Sequence, residues 1–224
     1  MNLEKVPKKE IRARIQEIGI IPAIRVYSAA DALFAAEAVA SGGIRIVEVT
    51  ITVPDAIEVI RHLAVNRLDV IQGAGTVLDL GWARRCVDAG AQFLTSPGFD
   101  PKIVEFAVHE GIVVFPGALT PTEVIAAAKA GADFVKIFPC AQVGGPSYIR
   151  ALKASFPDVP LIASGGVNQQ NASDYILAGA AAVGIGRDLI HQDAIKRRDA
   201  GWICELSRRY SHMVRQARNQ LKPQ

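Results

Sequence analysis

Residues 125–138 read Ile-Ala-Ala-Ala-Lys-Ala-Gly-Ala-Asp-Phe-Val-Lys-Ile-Phe. An alanine-rich helical turn runs into a glycine, the residue type that most readily takes the left-handed conformation ending a helix; a short apolar run follows, and Pro139 stops it. The same module recurs at Gly42-Gly43 before IRIVEVTI (44–51), Gly90 before AQFLTS (91–96), Gly111 before IVVFPG (112–117) and Gly179 before AAAVGIG (180–186). Three further runs lack the leading glycine: IIPAIRV (20–26), DVIQGAG (69–75) and VPLIASGG (159–166). Together they predict about eight strands spaced roughly 18–27 residues apart, each followed by a helix. Right-handed βαβ connections close such a series into an α/β (β/α)₈ TIM barrel, here with short loops and no inserted domain. A doubly wound open sheet is the competing architecture, and it more often has fewer strands.

The chain of 224 residues is therefore read as a single domain over 1–224, with an N-terminal helix at about 1–19 and a basic C-terminal helix at about 193–220. Half the residues are hydrophobic and only 6% are aromatic, which suits buried parallel strands flanked by alanine-rich helices. A net charge of +3 is too small and too dispersed for a nucleic-acid binder. Cys86, Cys140 and Cys204 are odd in number and widely spaced, which predicts reduced thiols rather than disulfides, and no metal site. The charged N-terminus and the absence of a long apolar run predict a cytoplasmic protein without a membrane partner.

In a barrel, chemistry sits at the C-terminal ends of the strands. Strand six carries Lys136 between Phe134 and Phe138 on one face, with Val135 and Ile137 on the other. A strand lysine ordinarily lays its stem on apolar surface and sends its ammonium to water. Parallel strands are covered on both faces, so this ammonium must find a partner or lose its proton, and a neutral amine condenses with a ketone to an imine. Strand two places Glu48 on one face with Ile44, Ile46 and Thr50. Alone it reads equally well as a structural ion-pair member; facing Lys136 it becomes the proton carrier of the same reaction.

Glycine-rich segments end strands seven and eight: Ser164-Gly165-Gly166 and Gly184-Ile185-Gly186-Arg187. Backbone N–H groups there suit an anion such as phosphate, with the Ser164 hydroxyl and the Arg187 charge beside them. Neither segment is a dinucleotide fingerprint, so no cofactor is expected. Arg25 and Thr76 end strands one and three, where a guanidinium and a hydroxyl could bind a substrate carboxylate; a rim salt bridge is the other reading of Arg25. Pro97 is retained as a wall of the site, although Pro97-Gly98 and Pro116-Gly117 read first as turns. His62, His109, His191 and His212 fall on or after helices and are read as structural or solvent-facing.

The motifs VEVTITVPDA (47–56), GAGTV (73–77), SPGF (96–99), FPGALTPTEV (115–124), FVKIFP (134–139) and SGGV (164–167), in that order, resemble the 2-keto-3-deoxy-6-phosphogluconate (KDPG) aldolase family, which includes 4-hydroxy-2-oxoglutarate (KHG) aldolase. The likeness runs from about Ile20 to Leu189. It implies a (β/α)₈ barrel, a homotrimer, class I chemistry without metal, and reversible cleavage of KDPG to pyruvate and glyceraldehyde 3-phosphate. By position it makes Lys136 the Schiff-base lysine, Glu48 the acid/base, Thr76 and Phe138 neighbours of the pyruvyl group, and Gly165-Gly166 part of the phosphate loop. Two positions depart from the pattern. Thr52 stands where some relatives carry an arginine, while Arg25 resembles the arginine of others; Arg187 interrupts the familiar Gly-Gly-Ser, so an unphosphorylated substrate such as 4-hydroxy-2-oxoglutarate is an alternative. GGPSYIRALK (144–153) resembles the branch that cleaves the galactonate epimer. Outside aldolases, a phosphate-binding barrel isomerase or a ligand sensor would also use the glycine loops.

Overall fold

The computed structural model describes residues 6–67 and 69–221. Helices and strands alternate along the chain. The strands are β1 (Ile20–Ile24), β2 (Ile46–Thr50), β3 (Ile71–Gly75), β4 (Phe93–Thr95), β5 (Val113–Phe115), β6 (Gly117–Ala118), β7 (Val135–Ile137), β8 (Leu161–Ser164) and β9 (Ala182–Ile185). The helices are α1 (Lys8–Ile18), α2 (Ala29–Ser41), α3 (Ala56–Asn66), α4 (Leu80–Asp88), α5 (Pro101–His109), α6 (Pro121–Lys129), α7 (Pro146–Ser155), α8 (Ala172–Leu177), α9 (Gln192–Lys196) and α10 (Ala200–Leu221). All pairings are parallel, in the order β5-β4-β3-β2-β1-β9-β8-β7-β6.

That order begins and ends on the two halves of the predicted fifth strand. Pro116 divides it: β5 pairs with β4, and β6 pairs with β7. The seam is closed by the N–H groups of Asp133 and Lys136, which donate to the carbonyls of Val114 and Pro116 at 2.9 Å. The chain thus forms a (β/α)₈ barrel. Pro116-Gly117 is accordingly a break within a strand rather than a turn. The reason is steric as well as chemical: proline offers no N–H to the ladder, and a Cβ on Gly117 would lie 2.1 Å from the Pro97 carbonyl oxygen.

Local signals set the helices. Ser28, Asp79 and Asp100 accept N–H bonds at the starts of α2, α4 and α5, and Thr120 and Glu123 cap each other reciprocally at α6. The predicted basic helix at 193–220 is two helices, because the chain turns at Arg198, whose φ is 53°. Of the predicted N-terminal helix, residues 1–5 lie outside the described residues, and α1 lies against β5 and β9. Its Arg12 guanidinium sits 5.9 Å over the Phe134 ring; Phe134 meets Phe115 edge to face, and Phe115 stacks on Phe93. One end of the barrel is therefore plugged by aromatics, and the other carries the strand ends that chemistry requires.

Candidate active site

Lys136 is the middle residue of β7 and Glu48 the middle residue of β2, so each is held by ladder bonds on both sides. Both point into the barrel. Lys136 is 8% exposed and Glu48 4%, and the ammonium Nζ lies 3.8 Å from the Glu48 Oε2. The separation makes an ion pair longer than a hydrogen bond, and among the described residues the Glu48 carboxylate accepts no hydrogen bond. A small shift, or one inserted water, would complete a proton path between the two groups.

Glu48 fits because β3 is shaved down beside it. Gly73 is its register partner, and a Cβ on Gly75 would fall 1.9 Å from the Glu48 Oε1. This requirement was missed at the sequence level, although the signal was present: Gly73 and Gly75 alternate with Ala74 on the face that Glu48 shares. Phe138, one period beyond Lys136, places its ring centre 5.5 Å from Nζ, which covers the amine with an aromatic face.

A second tier lies at the strand ends. Arg25 follows β1, and its Nη2 donates to the Thr76 hydroxyl at 3.1 Å. Thr76 has φ 61°, an unfavourable conformation for a β-branched residue, which persists only where the surroundings impose it. Thr50, fully buried at the end of β2, donates to the carbonyl of Ile24, the residue before Arg25, and shares a 2.9 Å contact with the Thr52 hydroxyl. Thr50 was not singled out from the sequence. The half-buried Pro97 stands beside β6 through its carbonyl, and β6 pairs Gly117 with Lys136.

The glycine loops form the third part. Gly165 and Gly166 have φ 86° and 83°, and the loop after Lys136 rests on them: Cys140 N–H donates to the Ser164 carbonyl at 2.8 Å and Ala141 N–H to the Gly165 carbonyl at 3.0 Å. A Cβ on Gly165 would meet the Phe138 ring at 3.1 Å and one on Gly166 would meet the Ala141 Cβ at 2.4 Å, so glycine is required at both. Ser164 packs against Gly184 on the neighbouring strand. Gly186 opens a turn closed by the Leu189 and Ile190 N–H groups. Among the described residues, the amides of Gly165, Gly166, Val167, Gly186, Arg187 and Asp188 donate to no backbone or side-chain acceptor. Unpaired donors on the loops after two neighbouring strands can hold an anion.

The structure thus brings together Lys136, Glu48 and Phe138 in the barrel, Arg25 with Thr76 at the rim, and Ser164, Gly165 and Gly166 against the lysine loop. Arg187 contributes its amide to the loop, while its side chain is exposed and makes no hydrogen bond or ion pair among the described residues. His191 caps α9 through Nδ1, while His62, His109 and His212 lie on helices away from the strand ends. Burial raises the Cys140 thiol to about 11, which leaves it protonated and unreactive beside the site. Among the described residues, no group of three or more His, Cys, Asp and Glu side chains could hold a metal ion, and no helix is long and apolar enough to cross a membrane.

The profile of a family described as "Aldolase: KDPG and KHG aldolase" matches residues 11–206. A Treponema pallidum protein named 2-dehydro-3-deoxy-phosphogluconate aldolase is 31% identical over 200 residues, 89% of this chain and 95% of that one. A Rhizobium meliloti protein described as a probable 2-dehydro-3-deoxy-6-phosphogalactonate aldolase is 43% identical over 118 residues, 52% and 55% of the two chains. A crystal structure of KDPG aldolase from Legionella pneumophila, with pyruvate captured at low pH as a covalent carbinolamine, superposes with a TM-score of 0.82 at 33% identity, covering 88% of this chain and 96% of that one.

Proposed function

The chain belongs to the KDPG and KHG aldolase family, and on that premise we propose that it is a Schiff-base aldolase that reversibly splits a phosphorylated 2-oxo-4-hydroxy acid of the KDPG type into pyruvate and an aldehyde. The reading rests on one observation: a lysine and a glutamate, both buried in the barrel, face each other at 3.8 Å.

Lys136 passes a proton to Glu48 and, as the neutral amine, attacks the C2 ketone; the carbinolamine then loses its hydroxyl as water with that proton, which leaves the protonated imine and the Glu48 carboxylate. Glu48, now a carboxylate, takes the C4 hydroxyl proton through a water as C3–C4 breaks; the aldehyde leaves, and the bonding pair remains as the enamine of pyruvate. Protonation of the enamine at C3 and hydrolysis of the imine return the lysine. Arg25 and Thr76 hold the substrate carboxylate, Phe138 and Pro97 wall the pyruvyl end, and Ser164, Gly165, Gly166, Gly186 and Arg187 receive the distal phosphate. The Legionella structure supports the covalent step, because that relative holds pyruvate as a carbinolamine.

For 4-hydroxy-2-oxoglutarate the same steps give pyruvate and glyoxylate. The galactonate epimer is the second reading, favoured by the Rhizobium relative. We further propose that the working form is a homotrimer, which light scattering measures directly.

Borohydride reduction in the presence of pyruvate, followed by intact mass and peptide mapping, tests the chemistry. One reduced pyruvate adduct on Lys136 is expected. A folded protein with no adduct under excess pyruvate overturns the proposal and returns the barrel to a phosphate-binding isomerase or sensor. Cleavage assays with the two phosphorylated epimers and 4-hydroxy-2-oxoglutarate then rank the substrates.

A further inference from the structure

β1 and β9 are neighbours, so the segments that follow them, 25–28 and 186–191, leave the barrel side by side. The first carries Arg25 and the second carries the unpaired amides of Gly186, Arg187 and Asp188. Beyond the strand ends no ladder bond sets the distance between them. Side chains do. Gln192, the first residue of α9, donates its Nε2 to the Tyr27 hydroxyl at 3.0 Å. At the far end of α9, the Arg198 Nη2 reaches the Asp31 carboxylate in the first turn of α2 at 2.9 Å, and its guanidinium lies 5.0 Å from the Phe34 ring centre.

Two details mark these contacts. Tyr27 is 74% exposed, so burial of its ring does not account for where it stands. Arg198 occupies the left-handed position after a helix, with φ 53°, where glycine is the unstrained residue. The side chain of this arginine ties α9 to α2. Between the two contacts runs a cleft lined by Val26, Tyr27, Asp31, Gln192, Ile195 and Arg198.

We propose that the Tyr27–Gln192 hydrogen bond, backed by the Asp31–Arg198 pair, is a positioning clasp that sets the distance between the carboxylate end and the distal-anion end of the substrate site. The inference rests on the function proposed above. Tyr27 and Gln192 act through the loops they join and touch no reacting atom. Substrates that engage both ends at once depend on the clasp; pyruvate, which reaches only the inner end, does not.

The test compares Tyr27→Phe, Gln192→Leu and the double variant with wild type, using KDPG cleavage kinetics and the rate of borohydride-trapped pyruvate adduct formation. Each single variant raises the KM for KDPG about fivefold, the size expected of one net hydrogen bond, with kcat and the pyruvate-trapping rate unchanged. The double variant is no worse than either single one, because the two side chains form one contact. An unchanged KM in both single variants overturns the clasp, as does a kcat loss accompanied by slower pyruvate trapping, which marks general loosening. Failure of the wild-type enzyme to trap pyruvate overturns instead the aldolase reading on which the clasp rests.

Discussion

Two lysine–carboxylate pairs lie along one stretch of chain, one just before β7 and one within it. At the N-terminal end of β7, Lys8 of α1 meets Asp133 at 2.9 Å, and the same Asp133 oxygen accepts the Val114 N–H at 2.9 Å. In the middle of β7, Lys136 faces Glu48 at 3.8 Å, and that carboxylate has no N–H or O–H donor within hydrogen-bonding reach among the described residues. The first pair is tied to the backbone through the Val114 N–H and lies with α1 and the packed phenylalanines at the barrel floor. The second is more deeply buried, looser and unfinished. Burial makes an incomplete pair expensive, so the protein carries that cost at the end where a substrate can complete the arrangement.

The largest test of this contrast exchanges the two lysines for alanine in turn. Lys136→Ala removes the proposed nucleophile and is expected to lower kcat at least about 10³-fold, with no trapped pyruvate, whereas Lys8→Ala leaves kcat within twofold and costs about 1 kcal/mol of stability in urea melts. Comparable losses of activity from both would break the distinction between the pairs. Glu48→Gln keeps the shape but not the proton, so turnover falls about 10²-fold or more while some pyruvate adduct still forms.

Gly75→Ala asks whether the open pair needs its space. The added methyl collides with the Glu48 Oε1, and a displacement near 1 Å is expected to lower kcat/KM about 10²-fold and to slow, without abolishing, adduct formation at Lys136. Normal activity in Gly75→Ala would mean that the carboxylate is free to relocate.

The smallest effect concerns groups that belong to neither pair. Burial pushes the Cys86 thiol up to about 12 and the Cys140 thiol to about 11, from an ordinary value of 9.0. The unfolded chain therefore loses these protons first as pH rises. Their contribution to stability is complete below about pH 9 and is lost as pH climbs through the folded values, so Tm is flat from pH 7 to 8.5 and declines above it. In the native protein at pH 8, a thiol reagent that reads three cysteines after unfolding leaves Cys86 and Cys140 unlabelled; rapid labelling of either would show that the core opens.

The alternation of helix, glycine and apolar run made the barrel legible, because each unit is set by local rules: Gly131, for example, has φ 94° where the sequence pattern requires a left-handed stop. Lys136 and Glu48 were legible for a different reason, since a charge inside an apolar strand is anomalous wherever it occurs. Positions whose importance depends on what lies opposite were not legible. Gly75 matters through Glu48, Gly117 through the Pro97 carbonyl, and Thr50 through the carbonyl before Arg25. Pro116-Gly117 has the composition of a turn and became a strand break because β4 and β7 compete for its two sides.

The sequence by itself determined the order of elements, the class of barrel and the residue types able to carry imine and anion chemistry, because periodicity and glycine punctuation act over a few residues. Only the tertiary structure decided that Lys136 and Glu48, 88 positions apart in the sequence, stand 3.8 Å from each other. It also decided that Asp133 pairs with Lys8, and that Tyr27 meets Gln192 between the segments that follow β1 and β9. Those distances follow from closure: strand order and register bring remote residues to one face, and no local propensity encodes which remote residue that will be.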